Sequence, residues 1–503
     1  MTVLKIILIL SVVQVLPSSA QSNDEFEEWQ KNEQQSLEQF IDENDREFLD
    51  FLEKDWRAFE ASRGIVPDKT PKPVEIPVAV PTPGGMSPSL PAPVEEDPIL
   101  TPSLPPVVPE VRSVLPEIES AMPKAYQTPE VVLHGSDESK TIGFDFLGTS
   151  LNMACGSVVD TELGEPVGKE SIAAYWKTLS IGDFEECLRQ AQEVRSKMSL
   201  NDWGYYLLLH HAGTRLFEGN PNQTTLFVWF MLSKSGYLVK VGYVQDRIYL
   251  LLPTEQALYG IPFFTFDKTK FYEISVDGSA PVTSLATYDG TYPGANKRLN
   301  LRVAQSPQVG GENLDRTFSF TYEGQAYQVP VHFEQSTIDF FAQYPQTDME
   351  VYFEASPAPE AKASLLHALH PIVAGRTEAE TVNLLLRFVQ TAFAYQVDAQ
   401  QFGREKIFFP EETLFYPFSD CEDRAILFAF LVQELLGLEV VGLDYPGHMA
   451  TAVKFNGEMA GDSVLYKGQE YTVCDPTYIH AEAGMTMSHF KGVDPQIIPI
   501  RLD

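Results

Sequence analysis

The chain has 503 residues, of which 44% are hydrophobic and 12% aromatic, so it can bury sizeable cores in about two to four domains. Asp and Glu number 70 against 36 Lys and Arg, which gives a formal net charge of −34. A surface this acidic repels phosphate backbones and anionic membranes, so we expect no nucleic-acid partner.

The first 20 residues are typical of a secretory signal peptide. Lys5 precedes an apolar run over residues 6–10, and the small residues Ser18-Ser19-Ala20 offer a cleavage site after Ala20. No later apolar stretch reaches the roughly 18–20 residues that a membrane-spanning helix needs. The sequence therefore predicts an exported protein, periplasmic or secreted, without a transmembrane span.

Residues 21–62 form an acidic segment in which large apolar residues recur every 11 positions. The two series are Phe26, Leu37, Phe48 and Phe59, and Trp29, Phe40 and Phe51. Eleven residues make about three helical turns, so the spacing predicts a helix over residues 24–62 with one apolar face. This face must be covered by self-association, by a partner protein or by the rest of the chain.

Residues 63–130 are a proline-rich linker, which holds nearly half of the 36 prolines of the chain. Proline excludes helix and central strand and favours extended polyproline conformations. We expect this linker to act as a semi-rigid spacer.

From residue 131 the composition becomes globular and indicates an α+β architecture. We expect an α/β domain over residues 131–278, a β-rich domain over 279–360 and a C-terminal domain over 361–503. The predicted helices and strands that matter most are the helices 181–197, 202–216, 223–235, 377–395 and 421–436, and the strands 238–244, 247–252, 438–443, 449–455 and 470–474.

An internal repeat relates the two α/β parts of the chain. When the chain is shifted by 201 residues, residues 226–230 fall on the apolar residues 427–431, and Gly236 falls on Gly437. Each glycine ends an apolar helix and is followed by two strands, which favours a duplicated unit. At the same shift Cys421 falls on Asn220, His448 on Arg247 and Asp475 on Ile274, so the first copy is degenerate.

Three residues of the second copy can perform thiol chemistry. Cys421 stands where an apolar helix begins, His448 opens a strand after Pro446-Gly447, and Asp475 ends another strand; both gaps are 27 residues. A thiol nucleophile needs a base and a carboxylate that orients the base. If the two strands pair, Asp475 can reach the far nitrogen of His448.

The helix start has opposing effects on the thiol. Ser419 or Asp420 can cap the helix, and the helix dipole lowers the pKa of a cysteine at this position. Asp420, Glu422 and Asp423 add negative charge that raises it. We therefore expect the thiolate to depend on an ion pair with protonated His448.

The residues around the triad resemble the transglutaminase-like superfamily, and more narrowly its secreted bacterial members. The resemblance covers roughly residues 377–485 and is carried by Asp-Cys-Glu-Asp over 420–423, by the stretch from Leu436 to His448 and by Tyr-Thr-Val-Cys-Asp-Pro-Thr over 471–477. It implies a papain-like α+β core in which Cys421 attacks an acyl group, His448 acts as base and acid, and Asp475 orients the imidazole.

The four cysteines leave alternatives open. Cys155 and Cys187 can pair in an oxidising compartment, and a Cys421–Cys474 disulfide would make Cys421 inert. Cys474 precedes Asp475 on a strand, so its side chain should point to the opposite face. We expect no cofactor and no metal, because there is no calcium-loop pattern and His480 and His489 lack a metal-ligand spacing.

Two functions remain. The first is an exported cysteine-dependent acyl hydrolase, either a peptidase or a deamidase, or a protein acyltransferase that acts on peptides or proteins; we favour hydrolysis, because no second-substrate site is visible. The alternative is a non-catalytic transglutaminase-like binding or scaffold protein with an N-terminal helix for oligomerisation or docking.

Overall fold

The computed structural model describes residues 42–64, 72–73, 75–79, 141–274 and 282–501. The predicted signal peptide, most of the linker and the large apolar residues Phe26, Trp29, Leu37 and Phe40 lie outside this part of the chain. The described residues combine helices with antiparallel sheets, as the predicted α+β class requires. None of the helices within the described ranges is long and apolar enough to cross a membrane.

The first described helix is shorter than predicted. Helix α1 spans Glu43–Glu53 and is capped by Asp42, whose Oδ1 accepts a hydrogen bond from the Asp45 N–H at 2.8 Å. Strand β1 (Arg57–Glu60) follows and pairs with strand β8 (Ser284–Thr287). The predicted helix over 24–62 is therefore wrong beyond Glu53, because pairing with a distant strand overrides the 11-residue period.

The aromatic face of α1 is covered by this chain itself. Phe48 is fully buried and makes edge contacts with Trp176, Tyr288 and Tyr292 at ring distances of 4.6–5.5 Å. Phe59 packs edge-on against Phe266 at 4.7 Å. The self-association hypothesis is thus wrong for Phe48, whose surface is already used within the fold.

The first α/β unit places a helical layer against a six-stranded antiparallel sheet with the order β1-β8-β4-β5-β7-β6. The hairpin β2–β3 precedes these helices. The elements of this unit are β2 (Thr141–Phe146), β3 (Thr149–Ala154), α2 (Lys169–Ile181), α3 (Glu185–Lys197), α4 (Asp202–Leu216), α5 (Pro221–Lys234), β4 (Lys240–Val244), β5 (Arg247–Leu252), β6 (Phe263–Phe266) and β7 (Thr269–Ile274).

The segment between the two units is less rich in strands than predicted. Strand β8 belongs to the first sheet, and the remaining strands of residues 279–360 form a single hairpin. Within the described residues 282–360 a separate β-rich domain is therefore not seen, because most of these residues are helical or irregular. The elements are β9 (Asn313–Tyr322), β10 (Gln325–Glu334), α6 (Gln335–Ala342) and α7 (Met349–Phe353).

The C-terminal unit packs helices against a five-stranded antiparallel sheet with the order β15-β16-β14-β13-β17. Its elements are α8 (Pro359–Val373), α9 (Glu378–Ala392), β11 (Ala394–Tyr395), α10 (Asp398–Gln401), α11 (Pro410–Phe415), β12 (Phe418–Ser419), α12 (Cys421–Leu436), β13 (Glu439–Tyr445), β14 (His448–Lys454), β15 (Ser463–Tyr466), β16 (Gln469–Cys474) and β17 (Gln496–Pro499). Helix α12 is buried on nearly all sides and packs against β13 and β14.

The two units share one topology. The order β8-β4-β5-β7-β6 of the first sheet matches β17-β13-β14-β16-β15 of the second, and α5 packs on β5 as α12 packs on β14. The first hairpins, β4–β5 and β13–β14, correspond at the shift of 201 residues, since Val244 pairs with Arg247 and Tyr445 with His448. This agreement favours a duplicated unit over a chance similarity.

The second hairpins of the two units correspond at a shift of 200. Phe266 pairs with Thr269, and Tyr466 pairs with Gln469. By strand register Asp475 therefore matches Ser275, which lies outside the described residues, and the predicted match to Ile274 is one position off. The first copy still has no carboxylate at this point.

Two of the four cysteines form a disulfide, and the other two are free. Cys155 and Cys187 form a disulfide that joins the end of β3 to α3. Cys421 and Cys474 are both free and buried. The alternative of a Cys421–Cys474 disulfide is therefore excluded by the structure.

We expect Phe48→Ala to lower the free energy of unfolding by about 3–5 kcal/mol, because it removes a fully buried ring among large aromatic neighbours. Phe51→Ala is the matched control on the same helix; Phe51 is only partly buried and should cost clearly less. Urea unfolding followed by circular dichroism measures both. Equal, small losses would mean that α1 is not docked on this chain.

Candidate active site

His448 is held at the start of β14 by a tight turn. Pro446 and Gly447 connect β13 to β14, and Gly447 has φ 75°, a conformation that glycine adopts without strain. The imidazole is fully buried and stacks on the ring of Phe490 at 5.2 Å with an interplanar angle of 8°. The turn and the stacked ring together restrict where the imidazole can point.

Asp475 lies beside His448, as the predicted strand pairing requires. Strands β14 and β16 are paired, and Asp475 directly follows β16. His448 Nε2 lies 2.9 Å from Asp475 Oδ2. The other carboxylate oxygen, Oδ1, accepts hydrogen bonds from the Thr477 and Tyr478 N–H groups at 2.9 and 3.1 Å. These backbone donors hold the carboxylate in the orientation that meets the imidazole.

One nitrogen of His448 is left uncommitted. Because a carboxylate only accepts, Nε2 donates the proton of the bond to Asp475, and Nδ1 is the nitrogen that carries the lone pair in a neutral imidazole. Nδ1 is buried and has no hydrogen-bond partner. A buried nitrogen without a partner is costly, and it is available to accept a proton from a reacting group.

Gln390 supports this arrangement, and the sequence analysis missed it. It is buried on α9, and its Nε2 donates to the backbone oxygens of Asp475 and Ala481 at 3.1 and 3.0 Å. Its Oε1 accepts from the His480 N–H at 3.0 Å. A glutamine on the apolar face of an amphipathic helix was the available signal. Phe490 gave none, because its role depends on the tertiary fold.

Cys421 is the first residue of α12, as predicted. Asp420 occupies the N-cap position, but its side chain does not cap the helix; instead, Asp423 Oδ2 accepts from the Asp420 N–H at 3.0 Å. Ser419 accepts from Arg424 Nε at 3.3 Å. The N–H groups of the first helical turn have no partner within the helix and can stabilise an oxyanion.

The thiol of Cys421 is turned toward Glu422 and away from the arrangement that the sequence predicted. It is fully buried and donates to Glu422 Oε2 at 2.8 Å. Burial, together with the charges of Glu422 and Asp420, raises the pKa of the thiol well above its ordinary value. Cys421 is therefore a protonated thiol in this structure, and the expected ion pair with His448 is not formed.

Lys72 of the proline-rich linker contacts the same carboxylates. Its Nζ lies 2.7 Å from Asp420 Oδ2 and 2.5 Å from Glu422 Oε1, and it also pairs with Glu405. Burial by itself would lower the pKa of this ammonium group, but the charges of Glu422 and Asp420 outweigh it and raise the pKa. Glu422 thus contacts the thiol through one carboxylate oxygen and Lys72 through the other. Burial alone would raise the pKa of Glu422, but the charge of Lys72 outweighs it and lowers the pKa to about 2.

Further acidic side chains lie behind this contact. One carboxylate oxygen from each of Asp398, Asp420 and Asp423 lies within 4.8 Å of the others, and so do the ligand atoms of Asp420, Cys421 and Glu422. Both sets have the residue types that hold a metal ion. Burial is the largest cause that raises the pKa of Asp398, Asp420 and Asp423, and for Asp398 the pKa rises to about 7.

A cleft of about 170 Å³ opens between these groups. Its lining includes Lys72, Glu405, Glu422, Gly447 and His448. The cleft therefore brings together the imidazole of His448, the carboxylate of Glu422 and the ammonium group of Lys72. Lys72, Glu405 and Asp398 were not predicted, because they lie 349, 16 and 23 positions before Cys421 and only the fold unites them.

Comparisons of this chain with protein-family models, with curated proteins and with solved structures gave no match. The description of the site consequently depends on its geometry alone.

We expect Glu422→Gln to lower the pKa of the Cys421 thiol, because it removes the nearest negative charge. The measurement is the rate of iodoacetamide alkylation of Cys421 against pH, with mass spectrometry to identify the site. Glu439→Gln, at an exposed carboxylate on β13, is the control and should leave the profile unchanged. An unchanged profile in Glu422→Gln would contradict the observed thiol–carboxylate contact.

Asp398 predicts a pH dependence of stability. Burial raises the pKa of Asp398 from an ordinary 3.8 to about 7 in the folded protein, so the folded state holds this proton more tightly than the unfolded state. The resulting stabilisation of the folded state is fully present below about pH 4 and is lost as the pH rises through about 7. Asp398→Asn should therefore reduce the decline of the free energy of unfolding between about pH 4 and pH 8. Urea unfolding at both pH values checks this; the exposed control Asp494→Asn should retain the decline.

Proposed function

We propose that this protein is a cysteine-dependent acyl hydrolase acting on peptides or proteins, with Cys421 as nucleophile, His448 as general base and acid, and Asp475 as the residue that orients the imidazole. The observation that supports it best is the His448–Asp475 hydrogen bond of 2.9 Å, together with the free Nδ1 of His448. The proposal also includes a transglutaminase-like core over residues 361–503, for which the support is a cysteine-bearing helix packed on an antiparallel sheet.

The proposed reaction begins with a change of partner at the thiol. Cys421 leaves Glu422 and gives its proton to His448 Nδ1, which produces a thiolate and an imidazolium. Asp475 stabilises the imidazolium through Nε2. The low-dielectric surroundings strengthen this ion pair, and the first N–H groups of α12 add positive potential at the sulfur.

Acyl transfer then proceeds in two balanced steps. The thiolate sulfur bonds to the carbonyl carbon of the substrate, and the C–N bond breaks while His448 gives its proton to the leaving amine. Water then attacks the thioester, His448 takes a proton from it, and the C–S bond breaks to release the acid and restore the thiol. The N–H groups at the start of α12 stabilise the oxyanion of each tetrahedral intermediate.

The alternative is a transglutaminase-like unit that binds peptides without turnover, for which the Cys421–Glu422 contact is the favouring observation. A thiol whose pKa is raised and whose partner is a carboxylate is not an active nucleophile.

Export to the periplasm or the extracellular space belongs to the proposal as well, with the sequence of residues 1–20 as its support.

Iodoacetamide labelling tests the nucleophile, with Cys474 as an internal control. Both cysteines are free and buried, but only Cys421 belongs to the proposed triad. We expect Cys421 to react at least about tenfold faster, because only a thiolate reacts and His448 generates it. His448→Ala should remove this difference and lower any hydrolytic turnover by about 10²–10⁴-fold, the usual contribution of general acid–base catalysis.

Asp475→Asn should give a smaller loss than His448→Ala while leaving the fold intact, because an amide can keep the bonds from Thr477 and Tyr478. Equal labelling of the two cysteines, unchanged by His448→Ala, would favour the non-catalytic alternative.

A further inference from the structure

The contact between Lys72 and the helix start joins parts of the chain that lie more than 300 residues apart. The Lys72 ammonium group is enclosed by the carboxylates of Glu405, Asp420 and Glu422, and only 12% of its side chain is exposed. We refer to these three carboxylates as the carboxylate cage.

The linker is also bound beyond Lys72. Ala79 N–H donates to the Ile479 carbonyl at 2.8 Å, Ile479 N–H donates to the Pro77 carbonyl at 3.1 Å, and Val78 forms a parallel bridge with Ile479. Ile479 lies four residues after Asp475. The described parts of the linker therefore contact both the cysteine end of α12 and the loop after Asp475, where one isolated parallel β-bridge holds the linker.

The linker composition suits this mode of binding. Pro71 and Pro73 flank Lys72, and Pro77 precedes the bridged residue. Prolines hold a chain extended and reduce the entropy lost when it binds along a cleft. The predicted role as a semi-rigid spacer is thus incomplete, since part of the linker is docked on the C-terminal unit.

The cage requires a cation. Asp398 and Asp423 lie next to its three members, so an empty cage would place several buried carboxylates near one another. Asp420 Oδ1 is buried and still lacks a hydrogen-bond partner, although Oδ2 contacts Lys72. Buried charges of one sign are stable only when they are paired or protonated.

From these contacts we infer that the carboxylate cage is a binding site for the lysine side chain of an extended peptide, and that Lys72 of the docked linker occupies it as an internal ligand. Only the identification of the peptide as a substrate rests on the proposed function. The binding site itself is supported by the contacts of Lys72 with the three carboxylates. In the resting chain Lys72 lines the cleft, and a lysine-containing peptide must displace it to occupy the cage beside Cys421.

The negative charge of the cage favours recognition of a lysine side chain over its use as an attacking amine. The carboxylates raise the pKa of the bound ammonium group, so the amine stays protonated and has no lone pair for attack on a thioester. A lysine in the cage is therefore recognised by its charge. This favours hydrolysis next to a basic residue over transfer of the acyl group to that lysine.

A binding experiment tests the cage without requiring catalysis. The probe is a fluorescein-labelled peptide of residues 70–81, compared with the same peptide carrying norleucine in place of lysine at position 72. The proteins are full-length chains with Cys421→Ala, with and without Lys72→Ala, and binding is followed by fluorescence anisotropy. Lys454→Ala, which breaks an exposed ion pair with Glu439, is the charge-matched control.

The lysine peptide should bind the Lys72→Ala chain at least about tenfold more tightly than the chain with native Lys72, because its site is then vacant. The norleucine peptide should bind at least about tenfold more weakly than the lysine peptide, since it lacks the charge-assisted bonds. Equal binding of the two peptides, or no effect of Lys72→Ala, would overturn the inference. Because Cys421 is absent from these chains, a failure of catalysis cannot produce either result.

A second measurement uses the unsubstituted chain, in case Lys72→Ala fails to fold. Excess lysine peptide should speed hydrogen exchange of the Ala79 amide, which loses its bond to Ile479 when the linker is displaced. The norleucine peptide should leave this exchange unchanged. Unchanged exchange with the lysine peptide would also contradict the inference.

Discussion

The buried carboxylates at the start of α12 impose the main physical constraint on this protein. Asp420, Asp423 and Glu422 lie in or next to the first turn of a helix that forms the centre of the C-terminal core. Such groups raise the free energy of the folded state unless a cation or a proton compensates them. Lys72 supplies the cation. The raised pKa values of Asp398, Asp420 and Asp423 indicate that bound protons neutralise part of the remaining negative charge. The linker and the core are therefore coupled through charge.

The two halves of the candidate site differ in their contacts. His448 and Asp475 are already aligned by strand pairing, by backbone donors and by the stacked Phe490. Cys421 is instead bonded to Glu422, which Lys72 keeps ionised. The positive charge of Lys72 lowers the pKa of the Cys421 thiol, so in the proposed account a peptide lysine that replaces Lys72 in the cage keeps this effect while the linker is displaced.

The two units show how one topology can hold a site or lack it. Both place a buried helix on an antiparallel sheet with the same strand order. The first unit has Asn220, Arg247 and Ser275 at the positions of the proposed triad, and it carries the Cys155–Cys187 disulfide and the docked α1. The sequence predicted the helices, the first hairpin of each unit and the pairing of His448 with Asp475, because these follow from local periodicity and turn residues, whereas the contact of Cys421 with His448 stays a prediction. It misplaced the end of α1 and overstated the strands of 279–360, where long-range pairing decides. It also missed Lys72, Glu405 and Gln390, whose roles arise only when distant segments meet.

The most direct test of a His448-dependent nucleophile in a lysine-recognising cleft is covalent capture with a peptidyl lysine chloromethyl ketone, read by peptide mass spectrometry. The account predicts one adduct, on Cys421, that is absent in His448→Ala and much weaker with the norleucine analogue. Equal modification of Cys421 and Cys474, or an adduct that forms without His448, would contradict it.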